Sequence, residues 1–341
     1  MKRAVPPAAW LLPVMLTILG FNMLMNPVRC WSQSDDDTKV HIVPRPAAPG
    51  PTPNEPAADT TTTGKPFRAE TNLVLVPTTV TDSMDRLVTG LDKQNFSVYQ
   101  DHQEQPLQAI WSQDTPISVG IIFDVSGSME DKMLKAREAI HTFLNTANPE
   151  DEFFLITFSD RPRLASRFSK QVQPLEGQLM FAQPHGLTSL LDAVYLGLST
   201  MKEARYDRRA LLIISDGGDN HSRYTENEVK SLVEEADVQI FSIGIFDAYA
   251  PTPEEKFGPQ LLSDITQVTG GRSFTVSDLS DLPDVANKIG VALRNEYILA
   301  YRPTVKPHDG KWHKIRVKLH PPKGLPPLHV SAKQGFYAAS E

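Results

Sequence analysis

Hydrophobic and polar positions follow three different patterns along the chain, and the changes between them indicate its organisation. Residues 67–115 contain short runs that alternate with a period of two, which is typical of half-buried strands. Residues 116–295 alternate between short apolar runs and stretches with helical spacing. Residues 296–341 return to the period-two pattern. This order predicts an α/β domain that is flanked in sequence by two β-strand segments.

The central segment has the pattern of a sheet whose strands are buried on both faces. Its apolar runs, such as Leu211-Leu212-Ile213-Ile214, alternate with amphipathic stretches. Strands that alternate with helices need crossover connections, so we predict a doubly wound, mostly parallel, Rossmann-like sheet with helices on both faces. We expect residues 163–168 to pair antiparallel with the strand at 153–158. Further strands are predicted at 211–214, 238–246 and 272–276, and helices at 175–181, 226–236, 253–268 and 282–294.

The two flanking segments show the same kind of short strand. The first contains strand-like runs at 72–81, 96–100 and 107–111, with a polar turn from Asp101 to Glu104. The second contains runs at 296–301, 313–320 and 328–337. We therefore predict that residues 67–115 and 296–341 pair with each other into one small, discontinuous β module.

The amino-terminal 66 residues are expected to lie outside the folded domains. Residues 1–30 combine a basic start with an apolar stretch, as in a secretory signal peptide or an uncleaved signal anchor. Residues 31–66 are rich in Pro and Thr with little to bury, which predicts a disordered linker. The protein is therefore expected to be exported, as a periplasmic, cell-surface or secreted protein that the amino-terminal segment could anchor. Cys30 is the only cysteine, so an intramolecular disulfide is excluded.

Charge argues against one class of partner. The formal net charge is −7 and the isoelectric point is near 5.7, whereas a nucleic-acid binder usually presents a basic face. The densest basic group, from Lys311 to Lys318, alternates with apolar residues and is interpreted as the solvated face of an exposed strand.

Three polar loops are expected to converge at one edge of the predicted sheet. Asp124, Ser126 and Ser128 follow an apolar strand, the loop from His185 to Ser189 precedes a helix, and the loop from Ser215 to Asn220 follows another strand. In open α/β sheets, ligands bind at the carboxyl ends of the strands, where the strand order reverses. Hydroxyl and carboxylate oxygens favour a hard cation such as Mg²⁺, Mn²⁺ or Ca²⁺ over zinc. Because most of these oxygens are uncharged, such an ion would keep an open position for an external acidic group.

The three loops together resemble the von Willebrand factor A (VWA) domain. Asp124-Val-Ser126-Gly-Ser128, Gly186-Leu-Thr188 and Ser215-Asp216-Gly217 occur in the order and spacing of that family's metal-ion-dependent adhesion site. The resemblance spans about residues 117–294. It implies that the metal is held by five residues: Asp124, Ser126, Ser128, Thr188 and Asp216.

The flanks carry a second, looser resemblance. Phe96-Ser-Val-Tyr-Gln-Asp and Glu296-Tyr-Ile-Leu-Ala-Tyr are similar to segments of the VWFA-related proteins of acidobacteria. In those proteins an exported A-type domain sits between β-rich stretches.

Simpler interpretations apply to each loop by itself. Asp-x-Ser-x-Ser before a helix is also a capping and turn motif, and Asp192 and Asp219 are interpreted as capping or loop-stabilising residues. His185 and His221 raise the question of a catalytic base, but histidines in polar loops are usually solvated. Ser126 and Ser128 lie in no G-x-S-x-G elbow, and a phosphatase of the Asp-x-Asp type would need a carboxylate at position 126.

The sequence thus favours an exported, non-enzymatic, adhesion-type binding module. Its Mg²⁺, or alternatively Mn²⁺ or Ca²⁺, would be completed by an Asp or Glu side chain of a protein partner. Two alternatives remain: a metal-assisted hydrolase that uses the same cation, and a structural VWA domain whose metal only stabilises the loops.

Overall fold

The computed structural model describes residues 73–112, 114–246, 253–303 and 309–338. The predicted export segment (1–30) and linker (31–66) lie outside the described residues. Within the described ranges, no helix has both the length and the apolar character that crossing a membrane requires.

The described chain forms helices and strands in the order that the hydrophobic pattern predicts. The strands of the amino-terminal segment are β1 (Val74–Asp82), β2 (Phe96–Gln100), β3 (Gln103–Gln105) and β4 (Leu107–Trp111). The central segment comprises β5 (Ser118–Asp124), α1 (Met133–Asn145), β6 (Glu152–Phe158), β7 (Pro162–Ser169), α2 (Gln173–Phe181), α3 (Leu190–Met201), β8 (Arg209–Ser215), α4 (Glu226–Glu235), β9 (Gln239–Ile245), α5 (Pro253–Gln267), β10 (Ser273–Val276) and α6 (Leu282–Asn295). The last strands are β11 (Tyr297–Tyr301), β12 (Trp312–Leu319), β13 (Leu328–Ala332) and β14 (Gly335–Tyr337).

The central segment is a six-stranded sheet in the order β10-β9-β8-β5-β6-β7. All neighbouring pairs are parallel except β6 and β7, which are antiparallel as the sequence predicts. Helices α1, α2 and α6 pack on one face, and α3, α4 and α5 pack on the other. This mostly parallel α/β sheet with two covered faces confirms the predicted fold class.

The strands β5 and β8 lie side by side in the middle of this sheet. They pair in parallel, with Phe123 opposite Ile214, so Asp124 and Ser215 end the two strands at the same edge. From β5 the chain runs to β6 and β7 on one side, and it returns to β8 on the other. The strand order therefore reverses at β5, which creates a crevice at its carboxyl end.

The flanking strands form two four-stranded antiparallel sheets. Their orders are β13-β1-β11-β4 and β14-β12-β2-β3, so each sheet combines strands from both sides of the α/β segment. One hydrophobic cluster joins them, with members from both sheets that include Val76, Val98, Leu299, Tyr301 and Ile315. The accessory β module is thus assembled from segments that are distant in sequence.

The module differs from the sequence-based prediction in two places: the run at 328–337 divides into β13 and β14, which belong to different sheets, and β3 was not predicted. β3 consists of Gln103-Glu104-Gln105, which has no apolar alternation. The turn before it is shorter than expected, because Asp101 and His102 both adopt positive φ (46° and 72°) and reverse the chain within two residues. Pairing with β2, rather than side-chain pattern, makes this segment a strand.

Candidate functional site

The first loop is organised around the carboxylate of Asp124. This side chain is fully buried, and its Oδ1 accepts a hydrogen bond from the backbone N–H of Ser126 (2.8 Å). Its Oδ2 accepts one from the hydroxyl of Ser215 (2.5 Å), at the end of the neighbouring strand. The carboxylate is therefore fixed in position by two strands and one loop.

The two serines of the first loop lie beside this carboxylate. The Oγ atoms of Ser126 and Ser128 are 3.1 Å apart, with Ser126 buried and Ser128 exposed. A short 3₁₀ turn at 127–129 carries Ser128, and α1 begins at Met133, three residues later than the expected start near Glu130. The turn presents the hydroxyls at the surface end of the crevice.

The second loop is attached to the first by backbone hydrogen bonds. The N–H of Gly127 donates to the carbonyl of Gly186 (3.1 Å), and the N–H of His185 donates to the carbonyl of Val125 (2.8 Å). Gly186 has a φ of +74°, and a Cβ there would lie 2.5 Å from the Asp160 carboxylate. This close approach requires glycine at position 186.

The third loop is attached to the second around Thr188. The carbonyl of Thr188 accepts hydrogen bonds from the N–H groups of Asn220 (3.1 Å) and His221 (3.0 Å). The N–H of Thr188 donates to Oδ1 of Asn220 (2.9 Å), and the residue is buried. Three loops that are distant in sequence thereby form one layer above the sheet.

Asp216 brings a second buried carboxylate to this layer. It is 2% exposed, and its Oδ2 lies 3.1 Å from the ammonium of Lys132, whose side chain is 15% exposed. Burial raises the pKa of Asp124 to about 7, and the nearby negative charge of Asp216 adds to that rise. The site thus places two buried carboxylates close together beside one ammonium group.

All five sequence-predicted ligands, Asp124, Ser126, Ser128, Thr188 and Asp216, lie on these three connected loops at the same edge of the sheet. Their role as metal ligands stays a prediction. Among the described residues, no group of three or more His, Cys, Asp or Glu side chains could hold a metal ion. A cation at this edge would therefore rely on hydroxyl oxygens and water in addition to the two carboxylates.

The neighbouring acidic residues stabilise the loops, as the sequence suggests. Oδ2 of Asp219 accepts hydrogen bonds from the N–H of Leu191 (2.8 Å), in the first turn of α3, and from the hydroxyl of Ser222 (2.6 Å). Oδ1 of Asp192 accepts from the N–H groups of Arg223 (2.8 Å) and Tyr224 (3.1 Å). Both carboxylates hold the third loop against α3.

Lys132 is a functional candidate that the sequence did not single out, and Ser215 is one that it named only as part of a motif. Lys132 lies in the non-helical segment before α1. Its partner Asp216 is 84 residues away, and no sequence pattern connects the two residues. Ser215 belongs to the third motif, but nothing in the sequence indicates that its hydroxyl donates to Asp124. Only the packing of α1 and β8 around the same crevice brings these groups to the two carboxylates.

Comparisons with known proteins agree with the fold and the motif. Residues 119–218 match the family described as von Willebrand factor type A domain. The chain is 27% identical over 135 residues to inter-alpha-trypsin inhibitor heavy chain H4 of Homo sapiens, an alignment that covers 35% of this chain and 14% of that protein. It is 30% identical over 149 residues to heavy chain H2 of Sus scrofa, covering 38% of this chain and 16% of the relative. The chain therefore spans only a small part of these relatives.

Among solved structures, the chain is similar to a von Willebrand factor type A protein from Catenulispora acidiphila. The TM-score is 0.46 at 12% identity, with 81% of this chain and 76% of the other covered. The matched residues 119–218 include the strand β5 and all three loops of the candidate site. The chain therefore contains a von Willebrand factor type A domain.

Proposed function

We propose that the protein is an exported binding module whose VWA domain holds a divalent cation and recognises an acidic side chain of a protein partner. One observation carries the proposal: two buried carboxylates, Asp124 and Asp216, lie close together at a surface crevice, and among the described residues an ammonium group contacts only Asp216. When both are ionised, the two carboxylates carry more negative charge than this one monovalent cation balances, and a divalent ion would neutralise the excess.

The donor set suits Mg²⁺ or Mn²⁺. Asp124, Ser126 and Ser128 would approach the ion from the first loop, Thr188 from the second and Asp216 from the third. Mg²⁺ prefers oxygen ligands and usually keeps several waters, so a site with uncharged hydroxyls leaves positions open. A carboxylate supplied by a partner would replace one of these waters and complete the charge balance.

The surroundings of the crevice favour a protein over a small molecule. Leu187 in the second loop is 47% exposed, and Leu134, two residues after Lys132, is 74% exposed. Phe257 is 75% exposed and precedes Gly258, which packs against Gly217 of the third loop. Large exposed apolar side chains around a polar centre are typical of protein interaction surfaces.

Export is part of the proposal. It is supported by the basic and apolar composition of residues 1–30 and by the Pro/Thr-rich composition of residues 31–66. In this arrangement the binding module would face the outside of the cytoplasmic membrane, and the linker would give it reach.

A binding role is favoured over metal-assisted hydrolysis because His185, the histidine of the second loop, is already engaged. Nε2 of His185 lies 3.1 Å from the hydroxyl of Ser159, and Nδ1 lies 2.9 Å from the carbonyl of Gln183. Turnover of phosphoesters or peptides that requires a divalent cation and is lost in Asp216→Ala would establish the enzymatic alternative instead.

Two measurements test the proposal. Isothermal titration of the purified protein with MgCl₂ or MnCl₂ should show one site that Asp124→Ala abolishes, whereas the control Asp131→Ala, an exposed carboxylate of the same loop, should keep it. Affinity capture from the native envelope fraction should then retain a protein that EDTA releases. Metal binding without an EDTA-sensitive partner would leave only a structural cation, and capture that is unaffected by both EDTA and Asp124→Ala would contradict the mechanism.

A further inference from the structure

A second site is suggested by a cleft far in sequence from the three loops. The cleft has a volume of about 540 Å³ and is lined by residues 271–273, 314–317 and 330–334, together with side chains of α5. These are runs of consecutive residues. Because alternate residues of a strand point to opposite faces, a wall made of consecutive residues is the edge of a strand and not its face.

Three strand edges border this cleft. β10 is the last strand of the six-stranded sheet, and β13 is the last strand of its own sheet. β12 has β2 along one side, whereas β14 covers only Trp312–Lys314 on the other. Among the described residues, the second half of β12 therefore has no strand on the side opposite β2.

Backbone directions show which groups face the cleft. The N–H of Ile315 donates to the carbonyl of Gln334 (2.7 Å), away from β2, so the N–H and carbonyl of Val317 point the same way. The N–H of Lys333 points to Pro77 of β1 (3.4 Å). Val330 has the opposite orientation in β13, so its backbone groups point away from β1. The edges of β12 and β13 thus offer donors and acceptors to a further strand.

The same walls carry concentrated positive charge. Arg272, Lys314, Arg316 and Lys333 line the cleft, and no acidic residue is among its described lining residues. Lys333 is held by Asp237 (2.6 Å), and Arg272 is held by Asp85 (2.5 Å). Lys314 and Arg316 are exposed, and no salt bridge holds either of them in the part of the chain that the structure describes. This charge is unusual on a chain whose net charge is −7.

A second hollow extends the basic surface along β12. It has a volume of about 390 Å³ and shares Lys314, Arg316 and Val317 with the cleft. It adds Tyr99, His102 and Lys318. Lys314, Arg316 and Lys318 alternate along one strand and so project from the same face. Tyr99 of β2 is opposite Arg316, so this hollow lies over the face that β12 shares with β2, and with the cleft it forms one basic groove.

We propose that this groove binds an extended acidic segment of a protein partner, which adds as a strand along the open edge of β12 or β13. Its backbone would pair with the free edge, and its acidic side chains would meet Lys314 and Arg316. The edge geometry favours a peptide over an anionic polysaccharide, because only a peptide supplies the matching alternation of N–H and C=O groups. This site is independent of the cation site, and its failure would leave the proposed metal-dependent function intact.

The binding test uses two fluorescein-labelled probes and the full protein in EDTA, which keeps the cation site out of the measurement. The first probe is an alternating Glu-Val octapeptide, and the second carries the same charges with N-methyl groups on alternate backbone nitrogens. The first should bind and the second should not, because N-methylation removes the donors that strand addition needs. Equal binding of both probes would show a general polyanion surface and overturn the proposal.

The protein variants locate the binding. The double change Lys314→Gln with Arg316→Gln should weaken binding by about fivefold, as expected for two partly exposed charge pairs. Lys323→Gln, which removes an exposed charge in the turn between β12 and β13, should leave the affinity unchanged. Equal losses in both variants would indicate unspecific charge attraction.

Amide hydrogen exchange distinguishes strand addition from charge attraction, because charge attraction alone does not change the exchange rates. Strand addition should slow amide exchange at Val317 and Val330 by about tenfold or more in the presence of the Glu-Val probe. Unchanged exchange at both positions would contradict strand addition. If the Glu-Val probe does not bind and the double variant aggregates, the proposal is wrong. Lys314 and Arg316 would then only protect an open strand edge from aggregation.

Discussion

Buried carboxylates have different charged partners at the two ends of the six-stranded sheet. At the amino end of β6, Asp151 is fully buried and pairs with Arg294 of α6, and Glu296 pairs with Arg208 (2.7 Å). At the carboxyl end of β5 and β8, Asp124 and Asp216 are equally buried, but Lys132 is the only cation that the described residues place within 4 Å of either carboxylate. We call the first end the balanced end, since Asp151 and Glu296 each have a cation partner, and the second the unbalanced end, since the described residues place a cation beside Asp216 alone. Glu152, also buried at the first end, has no cation in the described chain and accepts hydrogen bonds from the hydroxyl of Ser118 and the N–H of Arg205.

The contacts at the balanced end stabilise the fold. Asp151 also accepts hydrogen bonds from the N–H groups of Ile117 (2.9 Å) and Asn148 (2.8 Å). Arg208 also donates to the carbonyl of Leu293 (2.6 Å), just before the chain enters β11. Together with the Arg208–Glu296 pair, which lies where the α/β segment ends and β11 begins, these contacts fix the end of the α/β segment in place. The comparison shows that burial of a carboxylate does not by itself indicate function. The informative feature of the unbalanced end is that two buried carboxylates lie close together with a cation beside only one of them.

The largest expected effect is at the balanced end. Arg294→Ala leaves Asp151 buried without its cation, which should lower the free energy of unfolding by about 3–5 kcal/mol. Urea unfolding of the purified protein measures this loss. Lys288→Ala, which breaks an exposed pair with Asp284 in the same helix, should change stability little. Equal effects of the two variants would remove the distinction between the two kinds of pair.

The unbalanced end should respond differently to loss of its charge. Asp124→Asn removes one of two neighbouring carboxylates, so we expect no loss of stability in EDTA. The wild-type protein should gain about 2.7 kcal/mol when Mg²⁺ is present at 100 times its dissociation constant, and the variant should gain nothing. Thermal unfolding with and without MgCl₂ compares them. A large destabilisation of the variant in EDTA would show that this carboxylate is structural after all.

Lys132 should act as a competitor of the cation. Lys132→Met removes the ammonium beside Asp216, so the divalent cation should bind about tenfold more tightly, and the protein in EDTA should become less stable. Lys135→Met serves as the control, because Lys135 pairs with the exposed Glu138 of the same helix (2.7 Å). Calorimetric titration measures the affinities. Weaker metal binding in Lys132→Met would mean that the lysine supports the site.

The smallest effect concerns the accessory module. Burial lowers the pKa of His313, but the hydrogen bonds and charges of Asp101 (2.6 Å) and Asp309 (3.1 Å) outweigh it and raise the pKa. Because the folded-state pKa is raised, the added stability is complete below the ordinary histidine pKa and is lost as pH rises through the folded-state value. His313→Gln should therefore lower the melting temperature at pH 5.5 by about 1 °C.

At pH 8.5 the same substitution should have no measurable effect on the melting temperature. His320→Gln is the control, because His320 is exposed and contacts Ser97 rather than a carboxylate. An equal difference between wild type and His313→Gln at both pH values would exclude the ion pair as its cause.

The sequence alone determined the fold class and the candidate site. Apolar runs without polar positions report strands buried on both faces, and the alternation with amphipathic helices requires crossovers, so the α/β class followed from local patterns. The residues Asp124, Thr188 and Asp216 were identified by a motif, because a shared family imposes their order and spacing. Both features are encoded within short stretches of chain.

Only the tertiary structure decided which distant groups meet. The Lys132–Asp216 contact joins residues 84 apart, and the pairing of β2 with β12 joins residues more than 200 apart. The open edges of β12 and β13 also could not be read from the sequence, because the same alternating pattern suits a covered edge and a free one. Hydrophobic periodicity indicates which residues of one segment are buried. Contacts between segments that are distant in sequence depend instead on where the chain returns after it crosses the sheet.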